Sequence, residues 1–212
     1  MIKCEVTASA IISRAAQVKK DKEDKDFVTF GIKVPVHGRN GEKKDMEISV
    51  SVNGGKEVAA VYTQGRRVSV TGVMSVRKKD GKMFFNLRSS KDVELLNTVT
   101  DETISGTMEF RGKIGKKGVE ERKDKNDKVF KAFQAFSSEK QEEGKNPEFI
   151  WVRFLYFNPN EGEDFLKADS YIEAKGDLQL GVFKRKSDNG DAKEEITFDC
   201  LVKSVTPWVL DK

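Results

Sequence analysis

The feature that most constrains the fold of this chain is an internal repeat with an offset of 104 residues. "RRVSVTGVMSV" (66–76) matches "SYIEAKGDLQL" (170–180), so that Gly72 falls on Gly176. The same offset places one set of alternating apolar residues on another, and period-two alternation predicts strands with one buried face. A repeat of this length is too long for a solenoid unit and indicates two copies of a domain. The matched sets are Met46, Ile48, Val50 and Val52 over Ile150, Val152, Phe154 and Tyr156.

The order of predicted elements is the same in both copies: three strands, a short helix and two strands. The helices are predicted in "GGKEVAAVYTQG" (54–65) and "GEDFLKADS" (162–170), each after the third strand of its copy. This order predicts an all-β fold of two tandem OB-fold barrels, each a five-stranded Greek key with one short helix. The predicted boundaries are 1–96 for the first OB-fold, 97–106 for a polar linker and 107–212 for the second.

Composition and cysteine usage indicate a soluble cytoplasmic protein. The net charge is +4, which is compatible with a polyanionic partner but is weak evidence for one. Cys4 and Cys200 lie in apolar alternating segments without a metal-ligand spacing, so buried free thiols are expected. No segment has the 18 or more apolar residues that cross a bilayer, and we expect no membrane association.

The third strand of the second copy, "EFIWVRFLYFN" (148–158), has an unusual outward face. Its outward residues are Trp151, Arg153, Leu155 and Phe157, where the first copy has Glu47, Ser49, Ser51 and Asn53. The four residues of the second copy are apolar or cationic, whereas the four of the first copy are polar or acidic, as is typical of a strand face exposed to water. Two explanations stay open: the face packs against protein, or it is a platform on which nucleic-acid bases stack.

Basic hairpins between the fourth and fifth strands add candidate contacts. Phe183 is followed by Lys184, Arg185 and Lys186, and an exposed Phe among basic residues is unfavourable unless something covers it. In the first copy, the corresponding hairpin supplies further candidate phosphate contacts. Phe85 shares parity with Leu87 and is assigned to the core, which leaves its neighbour facing outward. These first-copy candidates are Arg77, Lys78, Lys79 and Phe84.

Three short motifs resemble the bacterial single-stranded DNA-binding proteins. Trp151, Arg153 and Phe157 match a Trp-x-Arg-x-x-x-Phe pattern in the third strand of that family, and "GRRVSVTG" (65–72) matches the opening of its fourth strand. Phe183 lies seven residues after Gly176, where the family often has a stacking Trp. The resemblance covers both halves and implies a two-OB-fold version of the family, which binds single-stranded DNA in replication, recombination or repair.

The sequence also departs from the family pattern. A further Trp near the end of the second strand is missing, with Gln141 close to that position in the second copy and His37-Gly38 in the first. No acidic tail follows "TPWVLDK", so recruitment of enzymes through such a tail is not expected. Because family members bring four OB-folds together, the resemblance implies a homodimer.

The two copies divide charge and aromatic residues unevenly. Residues 1–104 have 19 basic and 14 acidic side chains (19 − 14 = +5), and residues 105–212 have 20 and 21 (20 − 21 = −1), with five and fourteen aromatic residues respectively. A single strand using the charge of one copy and the rings of the other would explain this division, and so would a protein interface on the second copy. RNA as the ligand also stays open.

An enzymatic function finds little support in the sequence. There is one His, and no Gly-x-Ser-x-Gly motif is present. We therefore expect no catalytic residues, no metal site and no cofactor.

Overall fold

A computed structural model describes residues 1–98, 101–139, 147–160, 162–186 and 192–209, without the side chains at 139, 185, 186, 192 and 193. Strands dominate these residues, which confirms the predicted all-β fold. The elements are β1 (Ile2–Lys20), β2 (Asp26–His37), β3 (Lys43–Asn53), α1 (Lys56–Val61), β4 (Arg67–Lys79), β5 (Lys82–Ser89), β6 (Glu94–Leu96), β7 (Thr103–Lys123), β8 (Val129–Glu139), β9 (Glu148–Tyr156), β10 (Tyr171–Lys186) and β11 (Ala192–Pro207).

The strands of each half pair into a closed ring. In the first half, β1 pairs with β2, β2 with β3, β3 with β5, β5 with β4, and β4 with β1. In the second half, β7, β8, β9, β11 and β10 pair in the same order, and β10 closes on β7. In both rings the third and fifth strands are parallel, and the other pairs are antiparallel.

The two parallel ladders correspond in register, but only the third strands keep the offset of 104, since Phe198 lies 113 residues after Phe85 (198 − 85 = 113). Ile48 lies opposite Phe85 in the first ring, and Val152 lies opposite Phe198 in the second. The apolar set of β9 faces inward as expected, since its four members are at most 5% exposed. Phe85 is buried and Phe84 is 49% exposed, as the parity argument predicts.

The repeated glycines are required by close backbone approach. Gly72 lies inside β4 and Gly176 inside β10, at the points where each strand passes the last strand of its ring. A Cβ on Gly72 would lie 2.1 Å from the carbonyl oxygen of Arg88, and one on Gly176 would lie 2.0 Å from that of Leu201. Only glycine allows the strands to cross this closely, which explains why both copies share it.

The two rings are joined edge to edge by β1 and β7. Residues Ile2–Ser9 of β1 pair antiparallel with Thr103–Phe110 of β7, so part of β1 lies between β4 and β7. A Cβ on Gly106 would lie 2.0 Å from the carbonyl oxygen of Glu5, so glycine is needed at this join as well. Residues 103–106, which fall in the predicted linker, therefore form the start of β7.

The helix predicted at 162–170 is wrong. This segment consists of turns, with short-range hydrogen bonds from Leu166 N–H to the Glu163 carbonyl and from Lys167 N–H to the Phe165 carbonyl. Asp169 adopts φ = 66°, which is incompatible with a helix. The short helix of the first half, α1, is present.

The inward faces of both rings form a shared apolar core. Cys4 and Cys200 are free and buried in it, as predicted. Phe85 of the first ring lies 6.2 Å, ring to ring, from Phe198 of the second. Among the described residues, no helix combines the length and apolar character that a membrane span requires.

Candidate nucleic-acid interface

A groove of about 1130 Å³ lies between the two halves. One wall is the outward surface of β9, β10 and β11 in the second half. The other is the end of β2 and the loop that follows it in the first half, from Pro35 to Glu42. The loop reaches the second half closely, because a Cβ on Gly38 would lie 3.0 Å from the Val182 carbonyl oxygen. The groove is therefore built by both copies of the repeat.

Trp151 lies in the groove and is 50% exposed. It lies directly opposite Phe136 on β8, and the two ring centroids are 4.9 Å apart. The indole also lies over Gly115 of β7, where an added Cβ would be 3.0 Å from Cζ3. The protein supports one side of the indole and leaves the other open, as a stacking residue requires.

Phe183 lines the same groove and is 59% exposed. It is positioned by β10, where it pairs with Glu195 on β11. Lys184 follows it in the groove lining. Hydrogen bonds from the backbone N–H groups of Glu42 and Asn40 lower the pKa of the Glu42 carboxyl, and the charge of Lys184 adds a smaller effect in the same direction. The side chain of Arg185 lies outside the described part of the chain.

Arg153 lines the groove but is held by Asp199. The two residues lie opposite each other on β9 and β11, and Arg153 Nε donates to Asp199 Oδ1 at 3.0 Å while Nη2 bonds the second carboxylate oxygen. Arg39, from the loop of the first half, lies 3.7 Å from the same carboxylate. One acidic group thus bridges two arginines from opposite walls, and no sequence pattern predicts either contact.

The charges of the groove nearly cancel. Among the described residues, its lining has three basic and three acidic side chains, in addition to His37 at the end of β2. A groove of this kind attracts a polyanion only weakly as a whole, so the rings must contribute much of any affinity for nucleic acid. The six charged residues are Arg39, Arg153, Lys184, Glu42, Glu102 and Asp199.

Phe157 lies at the far end of the outward face of β8 and β9 and does not line the groove. It stacks on Phe130 with centroids 4.8 Å apart and is 36% exposed. About 20 Å of strand separates Phe157 from Trp151, at roughly 3.3 Å per residue. The Trp-x-Arg-x-x-x-Phe pattern therefore supplies one ring inside the groove and one outside it.

The hairpin between β4 and β5 also lies outside the groove. It carries the candidates Arg77, Lys78, Lys79 and Phe84, and it turns at Asp80 and Gly81 with positive φ at both residues. The Gly81 amide donates to Glu148 Oε1 at 3.0 Å, so the turn lies against the start of β9. Lys78 lines a smaller cavity together with Glu194 and Glu195. The structure therefore does not bring these four residues together with the aromatic groove.

No protein-family model matches this sequence, and no curated protein matches it. The chain resembles solved structures of the single-stranded DNA-binding protein from Thermus aquaticus. A deletion mutant has 9% identity and a TM-score of 0.46 over 99% of this chain and 96% of that chain, and the wild type has 7% and 0.46 over 99% and 94%. A Plasmodium falciparum SSB in complex with single-stranded DNA has 12% identity and a TM-score of 0.36 over 53% of this chain and 100% of that chain.

Proposed function

We propose that this protein binds single-stranded DNA, without strong sequence preference, in the groove between its two halves. The observation that carries the proposal is the position of Trp151 and Phe183, which are half exposed or more and line one groove although they come from different strands. Each ring accepts a base of any identity by stacking, which contributes roughly 1–3 kcal/mol per base. A duplex does not present free base faces, so single strands are expected to bind more tightly.

Phosphate contacts are expected to be few. Lys184 is exposed, whereas the guanidinium groups of Arg39 and Arg153 share Asp199. Lys184, with at most one of the two arginines, neutralises one or two phosphates, which corresponds to a log K against log[salt] slope of about −0.7 to −1.4 at roughly −0.7 per phosphate for a single strand. This slope is shallow for a protein that binds nucleic acid, and it follows from the balanced charge of the groove.

The wider role is part of the same proposal. The two rings act as two OB-folds joined through the residues between β6 and β7, the protein serves replication, recombination or repair, and two copies associate to bring four OB-folds together. The sequence motifs carried by Trp151, Arg153 and Phe157 support this role. The basic β4–β5 hairpin of the first half, outside the groove, is a second contact for a longer strand.

Fluorescence anisotropy with labelled oligo(dT) tests the proposal. Trp151→Ala and Phe183→Ala are each expected to weaken binding by about 1–3 kcal/mol, because each removes one stacking surface. Trp151→Phe, which keeps a ring, should retain most of the affinity. Since Trp151 is only half buried, its replacement by Ala should cost about 1 kcal/mol of unfolding free energy, well below the 3–5 kcal/mol of a fully buried Trp.

The opposite result would identify the aromatic face as a protein interface. In that case both Ala variants would have a lower melting temperature, or a lower oligomeric mass in light scattering, and their affinity for oligo(dT) would be unchanged. Equal affinity of the wild type for duplex and single strand would instead indicate simple charge attraction. A parallel titration with oligo(U) distinguishes DNA from RNA as the preferred ligand.

A further inference from the structure

A row of aromatic and basic side chains leads from the groove across the outer surface of the second half. Trp151 on β9 lies opposite Phe136 on β8, Phe136 lies opposite Lys113 on β7, and Lys113 lies opposite Tyr171 on β10. Trp208, just after β11, meets Tyr171 edge to face with centroids 6.0 Å apart. We call Trp151, Phe136, Lys113, Tyr171 and Trp208 the aromatic row.

The members of the row share one outward face, and contacts join Trp151 to Phe136 and Lys113 to Tyr171. The Trp151 and Phe136 rings are 4.9 Å apart, and Lys113 Nζ lies 5.8 Å from the centre of the Tyr171 ring. Neighbouring strands are about 4.8 Å apart, so the row extends roughly 14 Å from Trp151 to Tyr171. It is continuous with the groove, because Trp151 belongs to both.

The row is exposed more than a folding role requires. Tyr171 is 40% exposed, and Phe149, which meets Phe136 edge to face at 5.0 Å, is also 40% exposed. Trp208 holds Tyr171 in place, since its backbone N–H donates to the Tyr171 carbonyl at 3.0 Å. Tyr171 thus has a supported ring with solvent on one side, which is the arrangement found at Trp151.

The charge at the centre of the row suits a polyanion. Lys113 is a quarter to a third exposed and donates to Asp169 at 2.7 Å, and this hydrogen bond raises the pKa of Lys113, so the cation persists. Lys116 and Lys117 follow on β7 and are exposed. Asp169 competes with a phosphate for Lys113, and Lys116 lies near enough to Asp169 to add a second cation there.

We infer that the aromatic row is a second segment of the single-strand path, which a strand enters from the groove at Trp151 and follows to Tyr171. This inference rests on the proposed function and adds to it a site outside the groove. It predicts that affinity depends on length: a short oligonucleotide occupies the groove alone, and a longer one also covers the row.

The two tryptophans allow the row to be observed separately from the groove. The chain has two Trp residues, so Trp151→Phe leaves Trp208 as the sole indole. In this variant, oligo(dT) of about 30 nucleotides should change the Trp208 emission, and one of about 6 nucleotides should not, since the site size of one OB-fold is roughly 4–16 nucleotides.

Tyr171→Ala in the otherwise unchanged chain gives the affinity test. Loss of one stacked base should weaken binding of the long oligonucleotide about fivefold or more and leave binding of the short one unchanged. Tyr171→Phe is the matched control, because it keeps the ring and should bind both as the wild type does.

Three results would overturn the inference, and they separate it from the proposed function. If the short oligonucleotide binds through Trp151 but added length and Tyr171→Ala change nothing, the row is not part of the path and the groove stands. If Tyr171→Ala lowers oligomeric mass with unchanged affinity at both lengths, a second copy of the chain covers the row. If the wild type binds no oligonucleotide of any length, the proposed function fails and the row fails with it.

Discussion

Asp199→Asn should tighten DNA binding while it weakens the fold. Asp199 holds Arg153 through two hydrogen bonds and lies 3.7 Å from Arg39, and its side chain is 17% exposed. At such distances, with an effective dielectric constant near 20, one ion pair has a Coulomb energy of about 4 kcal/mol, most of which desolvation and side-chain ordering offset. A net loss of about 1–2 kcal/mol in the free energy of unfolding follows.

The same substitution releases two guanidinium groups into the groove. If each then neutralises one phosphate, the slope of log K against log[salt] should become steeper by about 0.7 to 1.4. Anisotropy titrations of oligo(dT) at several salt concentrations measure this slope, and urea unfolding measures the stability. The affinity should rise most at low salt, where the released charges are least screened.

Asp177→Asn is the control for net charge. Asp177 accepts a hydrogen bond from Lys203 at 2.5 Å, and it does not line the groove. Its replacement changes the charge of the protein by the same amount and should leave the salt slope unchanged. The reasoning is refuted if Asp199→Asn weakens binding at every salt concentration with an unchanged slope, since Asp199 would then hold Arg153 in its binding geometry instead of competing with phosphate.

Two further predictions concern the fold. Gly176→Ala should lower the free energy of unfolding, measured with urea, by about 3 kcal/mol or more, because the new Cβ would lie 2.0 Å from the Leu201 carbonyl oxygen. The control, Gly55→Ala, should change it by under about 1 kcal/mol, since the nearest atom to its Cβ lies at 3.7 Å. Equal losses in the two variants would contradict the close approach at Gly176. Burial raises the pKa of the Cys4 and Cys200 thiols to about 12, so their contribution to stability is complete below the unfolded-state pKa of about 8.5 and is lost as the pH rises from there towards 12. Native protein should therefore resist a thiol reagent at pH 9, and a Cys→Ala double variant should show a flatter decline of stability above that pH; rapid labelling of folded protein would contradict this.

The local features of the fold could be predicted because they depend on neighbouring residues. Alternation with period two assigns Val152 to the core and Trp151 to the surface, whatever the rest of the chain does. The helix predicted at 162–170 is wrong, although this segment follows the third strand of its copy as α1 does. In its place, a buried Leu166 and a left-handed Asp169 form successive turns that are set by local packing.

The groove could be predicted only in part. Trp151, Arg153, Phe183 and Lys184 were found from one half, because their residue types are unusual on an outward face. Arg39 was missed, since a lone arginine in a loop gives no signal by itself. The bond between Arg153 and Asp199 depends on the register of β9 and β11, which corresponds to that of β3 and β5 but which no local pattern identifies as an ion pair.

The join between β1 and β7 explains why the groove has two walls. Eight consecutive residues of β1 pair with β7, and the same segment of β1 pairs with β4 on its other edge, so the two rings share a continuous hydrogen-bonded sheet. This sheet fixes the first half relative to the second and brings Gly38 against the Val182 carbonyl. The rings of Trp151 and Phe183 belong to one copy, but Arg39 lines the same groove only because the other copy is held in this position. In the proposed function, one strand would therefore contact the more basic first copy and the more aromatic second copy together, since neither half contains the complete groove.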